Sequence, residues 1–70
     1  MSEKIFSNLE KFRKEEKMTQ QALAEEVGVS RQTIIAIEKG NYTPSILLAL
    51  KISQVLKKPV EEIFYIKNNN

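Results

Sequence analysis

Apolar residues occur along the chain in short groups with helical spacing, and polar capping residues, glycine or proline separate the groups. Leu9 and Phe12 are three residues apart and therefore share one face of a helix. Ser7 and Asn8 are both good N-cap residues, so we expect the first helix to begin there and to run to about Lys17.

Two short helices are predicted next, over residues 20–27 and 31–38. Each has a capping residue before it and a glycine after it; in chain order these are Thr19, Gly28, Ser30 and Gly40. Leu23, Ala24 and Val27 give the second helix a narrow apolar stripe. Two short helices joined by a turn that contains glycine form the skeleton of a helix-turn-helix.

The second half of the chain predicts two further helices. The fourth helix follows the capping residue Ser45 and covers residues 46 to about 57. A last short helix, over residues 60–64, is introduced by Pro59, whose fixed φ suits a first helical turn.

The two ends of the chain are β-prone. We expect residues 4–6 and 64–66 to pair as a small ribbon. The predicted fold class is therefore all-α, with five helices that include a helix-turn-helix and with this terminal β-ribbon. Residues 1–67 are expected to form a single domain, and residues 68–70 a frayed tail.

The composition excludes most catalytic and metal-binding chemistry. The chain has 70 residues and contains neither cysteine nor histidine. This excludes disulfides, thiolate metal sites and a thiol nucleophile, and it removes the commonest general base. We therefore expect no cofactor, no metal site and no enzymatic activity.

Hydropathy and net charge limit the class of protein, but they do not identify a binding partner. The chain lacks the apolar run of about 18 residues that a membrane helix needs, and its first residues lack the apolar region of a secretory signal. A cytoplasmic, soluble protein without a membrane partner is the expectation. The net charge is only +2, from 11 basic and 9 acidic residues. That excess does not identify a nucleic-acid binder by itself.

The order of motifs resembles a known family. TQQALA at 19–24, VGVSRQTI at 27–34 and IEKG at 37–40 resemble the λ repressor/Cro-type helix-turn-helix, also called the Xre family. The resemblance extends through YTPS at 42–45, LALKI at 48–52 and VEEIF at 60–64, and so covers nearly the whole chain. It implies a λ-repressor-like domain with its helix-turn-helix at about residues 19–39, and double-stranded DNA as the partner.

The third helix is the predicted recognition helix. Ile34 and Ile37 fit its buried side, and the opposite side, which would meet base edges in the major groove, carries Arg31, Gln32, Ile35 and Ala36. Arginine suits guanine and glutamine suits adenine, each through two hydrogen bonds. Ile35 either contacts a thymine methyl group or packs partly against the neighbouring helix.

A second set of residues is predicted to contact phosphates: Gln20, Ser30, Thr33, Lys39, Asn41 and Tyr42. Gln20 begins the second helix, where backbone N–H groups and the helix dipole favour an anion. The residues after the recognition helix resemble the second phosphate clamp of the family. Ser30 has the alternative role of a plain N-cap, and the Tyr42 ring the alternative of lying on the fourth helix.

The resemblance also implies a structural ion pair between Arg13 of the first helix and Glu38 at the end of the recognition helix. It would fix the two helices against each other and orient Arg13 toward a phosphate. We favour the pair over a solvated Arg13, because Glu38 would otherwise be an acid without a role beside DNA.

The fourth helix has more apolar residues than one face can bury. A dimer interface is therefore predicted at Leu47, Leu50, Tyr65 and Ile66. Tyr65 and Ile66 could instead, or in addition, fold back onto Ile5 and Phe6 of the same chain.

The predicted function is that of a dimeric, sequence-specific repressor of a palindromic operator, with no small-molecule effector. The charge distribution is consistent with it, since residues 27–60 carry five basic residues and one acid, a net charge of +4. One alternative is an antitoxin that binds a protein toxin and regulates its own operon. Another is an interaction module without DNA binding, which acidic changes at Arg31 and Gln32 would have favoured.

Overall fold

The structure is a computed structural model that describes residues 3–68. Its elements in chain order are β1 (Glu3–Ser7), α1 (Leu9–Glu15), α2 (Gln20–Val27), α3 (Arg31–Glu38), α4 (Ile46–Leu56), α5 (Val60–Ile63) and β2 (Phe64–Asn68). The predicted fold class, five helices with a small terminal ribbon, is confirmed. Over residues 3–68, every helix is too short or too polar to cross a bilayer.

One hydrophobic core joins all five helices. Its buried members are Leu9, Phe12, Leu23, Ala24, Val27, Ile34, Ile37, Leu48, Ile52, Leu56, Ile63 and Phe64. The spacing of three and four residues within each helix turns these side chains to one face, so each short helix contributes a single stripe. α2 and α3 meet along this core and form the helix-turn-helix.

The turn between α2 and α3 is fixed by capping at both of its ends. Gly28 has a φ of 77°, in the left-handed region that glycine adopts without strain, and it ends α2. Ser30 then begins α3, where its Oγ accepts a hydrogen bond of 3.2 Å from the backbone N–H of Thr33. Val29 is partly buried and packs against the core, which anchors the turn to the rest of the domain.

The ribbon pairs the two ends of the described chain. β1 and β2 are antiparallel, with Ile5 opposite Ile66 and Phe6 opposite Tyr65. Asn8 ties the ribbon to the helices, because its N–H donates to the carbonyl of Ile63 at 2.7 Å and its Nδ2 donates to the carbonyl of Glu62 at 3.0 Å. The side chain of Asn8 is thus used between elements and does not cap α1.

Three helix ends differ from the sequence prediction. α1 stops at Glu15 and α4 at Leu56, because Lys17 and Lys57 have φ values of 58° and 59°, and a left-handed residue cannot continue a right-handed helix. Phe64 belongs to β2 instead of α5, since its φ of −121° and ψ of 139° are extended.

The predicted frayed tail, residues 68–70, is wrong in part. Asn68 pairs with Glu3, so the ladder continues one residue beyond the predicted boundary. Residues 69 and 70, like residues 1 and 2 of the predicted domain, lie outside the described residues.

Candidate nucleic-acid interface

α3 separates its side chains into a buried face and an outward face. Ile34 and Ile37 are buried in the core. Arg31 and Gln32, in the first turn, are exposed. Their long polar side chains therefore lie where the N-terminal part of a recognition helix meets base edges.

The other two residues predicted to contact bases are more enclosed. Ile35 and Ala36 are each half-buried, between the outward face of α3 and its buried face. Ile35 therefore packs partly against its own domain and also keeps apolar surface accessible. Its burial is compatible with both predicted roles, contact with a thymine methyl group and packing against the neighbouring helix.

Both ends of α3 are fixed by local hydrogen bonds. At its start, the hydroxyls of Ser30 and Thr33 lie 3.2 Å apart, in addition to the cap bond from Ser30. At its end, Gly40 is left-handed with a φ of 79°, and the N–H of Asn41 donates to the carbonyl of Ala36 at 2.9 Å. This closing pattern is a Schellman motif, whose left-handed position is most often occupied by glycine because glycine adopts it without strain. The outward side chains of α3 thus stand on a well-defined helix.

A buried polar cluster joins α1, α2 and α3. Arg13 Nε donates to Glu38 Oε2 at 2.7 Å, and Arg13 Nη2 donates to Glu38 Oε1 at 3.2 Å. Gln20 Nε2 donates to Glu38 Oε1 at 3.1 Å. The two ion-pair side chains are only 8% and 5% exposed. The ion pair that the resemblance implied is therefore present, and it is a two-pronged, enclosed one.

The geometry does not turn Arg13 toward a phosphate. Its third donor, Nη1, donates to the backbone carbonyl of Met18 at 2.9 Å, so all three nitrogens of the guanidinium have partners inside the protein. The hydrogen bond with Glu38 raises the pKa of Arg13 from its already high ordinary value, against the effect of burial. Arg13 is thus a permanently charged structural residue that positions α1 against α3.

Gln20 has a role that its sequence position did not reveal. Its amide is turned inward and donates to Glu38, so this side chain is engaged inside the protein. The first N–H groups of a helix have no partner within that helix, and the Thr19 side chain takes the N–H of Ala22 at 3.0 Å. The N–H groups of Gln20 and Gln21 therefore remain at the start of α2, where a phosphate is favoured.

The segment after α3 presents polar side chains to solvent. Lys39 and Asn41 are exposed, and Tyr42 is half-exposed. Tyr42 lines a shallow depression together with Val29, Leu47 and other residues at the α4 N-terminus. Tyr42 therefore lies near the start of α4 while about half of it stays exposed, so the two interpretations of Tyr42 are compatible.

The outward face of α4 is apolar and exposed. Ile46 is 80%, Leu47 64% and Leu50 50% exposed, and on the ribbon Ile66 is 60% exposed. Sequence reasoning did not include Ile46, although its spacing of four from Leu50 was a signal that both share one face.

Tyr65 does not share a face with Ile66. Neighbouring side chains of a strand point to opposite faces. Tyr65 stacks on Phe6, with ring centres 5.8 Å apart, so it lies on the other face of the ribbon. Ile66 lies on the same face as Ile5, which packs against the core. The predicted set of four interface residues is thus divided between two surfaces.

Comparison with known proteins agrees with this fold and with its motif. The family model described as Helix-turn-helix matches residues 9–63. The HTH-type transcriptional regulator YgzD of Bacillus subtilis is 50% identical over 52 residues, which are 74% of this chain and 79% of that protein. An HTH-type transcriptional regulator of Methanothermobacter thermautotrophicus is 53% identical over 57 residues, covering 80% of this chain and 83% of that protein.

Solved structures give the same picture. The restriction-modification controller protein C.AhdI of Aeromonas hydrophila has a TM-score of 0.71 and 26% identity, over 77% of this chain and 82% of that one. The transcriptional regulator VanUg has a TM-score of 0.79 over 99% of this chain and 92% of that one; at 23% identity it supports the fold alone.

The five helices and the capped, outward-facing α3 define a helix-turn-helix protein. The chain belongs to the helix-turn-helix family of transcriptional regulators of the λ repressor/Cro (Xre) type, and such a regulator is a DNA-binding protein, not an enzyme.

Proposed function

We propose that this protein is a dimeric repressor that binds a palindromic operator in the cytoplasm. The observation that carries the proposal is the outward face of α3, where Arg31 and Gln32 are exposed on a helix whose opposite face is buried. A repressor needs only to occupy the operator so that polymerase cannot, and a small binding domain suffices for that.

Base reading is assigned to four residues of α3: Arg31, Gln32, Ile35 and Ala36. Arg31 can hold guanine O6 and N7, and Gln32 can hold adenine N6 and N7, each through paired hydrogen bonds. Ile35 and Ala36 offer apolar surface for a thymine methyl group. This is a set of side chains that selects a sequence instead of merely attracting DNA.

Phosphate contacts are assigned to two places on either side of α3. The first is the start of α2 and α3, with the N–H groups at Gln20 and the hydroxyls of Ser30 and Thr33. The second is the segment after α3, with Lys39, Asn41 and Tyr42. Phosphate contacts fix the register of the recognition helix without reading sequence.

Dimerisation is assigned to the exposed apolar surface of α4, through Leu47 and Leu50, with Ile66 of the ribbon. An exposed apolar patch of this kind is typical of an interaction surface. A two-fold dimer would place two recognition helices in successive major grooves, about 10 base pairs apart.

Selection of bound sequences from random duplex DNA tests the proposal. The native protein is expected to select a palindrome with half-sites about 10 base pairs apart. Arg31→Ala and Gln32→Ala are each expected to relax the preference at one position per half-site, at a cost of about 1–3 kcal/mol. Lys57→Ala removes an exposed charge outside α3 and serves as the control. If the native protein selects no palindrome, the operator-specific repressor is the wrong proposal.

A further inference from the structure

The α4 surface that is assigned to dimerisation lies between two depressions. Its three exposed apolar side chains, which we call the α4 ridge, are Ile46, Leu47 and Leu50, at 80%, 64% and 50% exposure. On one side, a depression between α4 and the turn of the helix-turn-helix is lined in part by Leu47 and Lys51. On the other side, a depression separates α4 from the terminal ribbon. Because helices pack by placing a ridge of one surface in a groove of another, each side offers a place for a second copy.

The depression on the ribbon side, which we call the ribbon groove, is apolar. Its lining includes Ile5, Ala49, Val60 and Phe64, with the exposed Ile46 at its rim. None of its described lining residues is charged. Its volume is about 120 Å³, and an apolar cavity of about 150 Å³ accepts a benzene molecule. The ribbon groove therefore has room for one aliphatic side chain.

The α4 ridge is too small to form a stable interface by itself. Even an aromatic side chain buries only about 150–250 Å², so three partly exposed aliphatic side chains supply less than about 500 Å². A standard interface between two proteins takes about 800 Å² from each partner. A dimer centred on α4 therefore has to include one of the two sides of the ridge.

The ribbon side continues the apolar surface, whereas the other side does not. Ile5 lines both the ribbon groove and a neighbouring depression, which is also lined by Ile66, a residue that is 60% exposed. The depression on the other side includes the charged Lys51 and Tyr42, which is assigned to a phosphate. Charged residues are depleted in the centre of interfaces, and a copy docked there would cover a residue that is assigned to DNA. These observations favour the ribbon side.

Ile46 and the ribbon groove together form a self-complementary patch. Ile46 protrudes at 80% exposure, directly beside a groove of the size of one aliphatic side chain. In a two-fold dimer each copy presents the same patch, so a contact from one copy to the other occurs twice. When the two-fold axis passes beside the first turn of α4, Ile46 of each copy faces the ribbon groove of the other. One patch thus supplies both halves of the contact.

We propose that a second copy of this chain docks on the ribbon side of α4, with Ile46 of each copy filling the ribbon groove of the other against Ala49. Ile66 extends the contact along the ribbon, while Tyr42 and Lys51 stay outside it. The inference rests on the proposed function, because it takes the protein to be a dimer. It adds to that proposal the side of α4 that is buried and the side chain that fills the groove.

Two single substitutions test this contact. Ile46→Ala truncates the protruding side chain at an exposed position, so the fold is retained. Two such side chains leave the interface, and the burial of each favours association by about tenfold, so the Kd of the dimer is expected to rise by about 100-fold. Ala49→Leu fills the groove from its own chain and is expected to prevent the homodimer. Sedimentation equilibrium measures both dissociation constants.

A mixture of the two variants separates a contact between copies from a contact within one copy. In the mixed dimer, Ile46 of the Ala49→Leu copy enters the native groove of the Ile46→Ala copy. At the second contact, the filled groove meets the truncated side chain, so the total volume is conserved, which packed interiors tolerate best. Native mass spectrometry distinguishes the three dimers by mass. The mixed dimer is expected to exceed the share that random pairing gives.

The matched control is Ala22→Leu, which is the same substitution at a half-buried alanine of α2. It is expected to leave the Kd of the dimer unchanged and to show no preference for the Ile46→Ala copy. Circular dichroism verifies that each variant is folded. If Ala49→Leu does not fold, the Kd of the Ile46→Ala variant decides alone.

The inference and the proposed function can fail separately. A native dimer whose Kd is unchanged by Ile46→Ala, or whose variants pair at random, overturns docking in the ribbon groove and leaves the dimeric repressor standing. An equal loss in Ala22→Leu and Ala49→Leu overturns it as well. A native protein that sediments as a monomer removes the dimer from the proposed function, and this docking mode with it.

Discussion

At the scale of single residues, Glu38 is the polar side chain that connects three helices. It accepts hydrogen bonds from Arg13 and Gln20, and through them it connects α1, α2 and α3. Removal of one partner from a buried ion pair leaves an uncompensated charge in the interior. The single hydrophobic core of a domain of about 70 residues rarely supplies more than about 3–5 kcal/mol of folding stability, and this chain has no cysteine for a disulfide. The pair is therefore decisive for whether the domain stays folded.

Glu38→Gln is expected to lower the free energy of unfolding by about 3–5 kcal/mol, enough to unfold much of the protein at room temperature. The reason is that the Arg13 guanidinium stays buried and charged without its counterion. Arg13→Gln/Glu38→Gln should recover a large part of that loss, because it leaves no buried charge. Thermal unfolding followed by circular dichroism measures both variants.

Glu10→Gln is the matched control, because Glu10 forms an exposed pair with Lys14 at 3.0 Å and exposed pairs contribute little. The hydrogen bond from Lys14 lowers the pKa of Glu10, so any stability from this pair is present at neutral pH. It is lost as the pH falls through the lowered pKa. Equal losses in Glu38→Gln and in this control would show that the buried pair is not special.

At the scale of elements, the short helices depend on their caps. α2, α3 and α4 begin with Thr19, Ser30 and Ser45, and each side chain accepts a backbone N–H of the first turn. Isolated helices of eight to eleven residues are marginal in water, so satisfied ends and a packed face must both contribute. The caps thus determine where the recognition helix begins.

Ser30→Ala and Ser45→Ala separate capping from DNA contact. Ser45 Oγ accepts from the N–H of Leu48 at 3.1 Å, nearly the same geometry as at Ser30. Each substitution is expected to lower the free energy of unfolding by about 1 kcal/mol, measured by urea denaturation. Only Ser30→Ala should also weaken DNA binding, to the same extent for all sequences. If both folded variants bind DNA equally, Ser30 is a cap and does not contact a phosphate.

At the scale of the whole molecule, charge and apolar surface are distributed unevenly. Most acids lie on α1, α2 and α5, while α3, α4 and the segments that join and follow them carry mainly basic residues. The largest exposed apolar side chains cluster on the first turns of α4. This distribution is consistent with a molecule that meets DNA on one side and a second copy on another.

Leu50→Lys is expected to convert the protein to a monomer, because it places a charge in the centre of the proposed apolar interface. Leu50 is half-exposed, so the substitution should leave the fold intact. Gln54→Lys, one turn further along α4, adds the same charge outside the apolar cluster and is the control. Sedimentation velocity measures the oligomeric state. A Leu50→Lys variant that remains dimeric would show that the copies associate through another surface.

The sequence by itself determined the helices, their caps and the motif. These are local properties: the N-caps Thr19, Ser30 and Ser45 and the glycines Gly28 and Gly40 act within a few residues of themselves. The separation of the buried Ile34 from the exposed Gln32, two residues away in the same helix, also follows from helical periodicity alone. For these features, neighbouring residues contain the whole physical cause.

Only the tertiary structure decided which distant groups meet. The inward turn of Gln20 to Glu38 and the contact of Arg13 with the Met18 carbonyl depend on how three helices pack. Strand alternation alone places Tyr65 and Ile66 on opposite faces, but which of them lies on the core side depends on the strand register, because a shift of one residue would exchange the two faces. The ribbon arises in the same way, since it pairs β1 with β2, which lie far apart in the sequence. Such pairings follow from the packing of the complete chain, which no local pattern encodes.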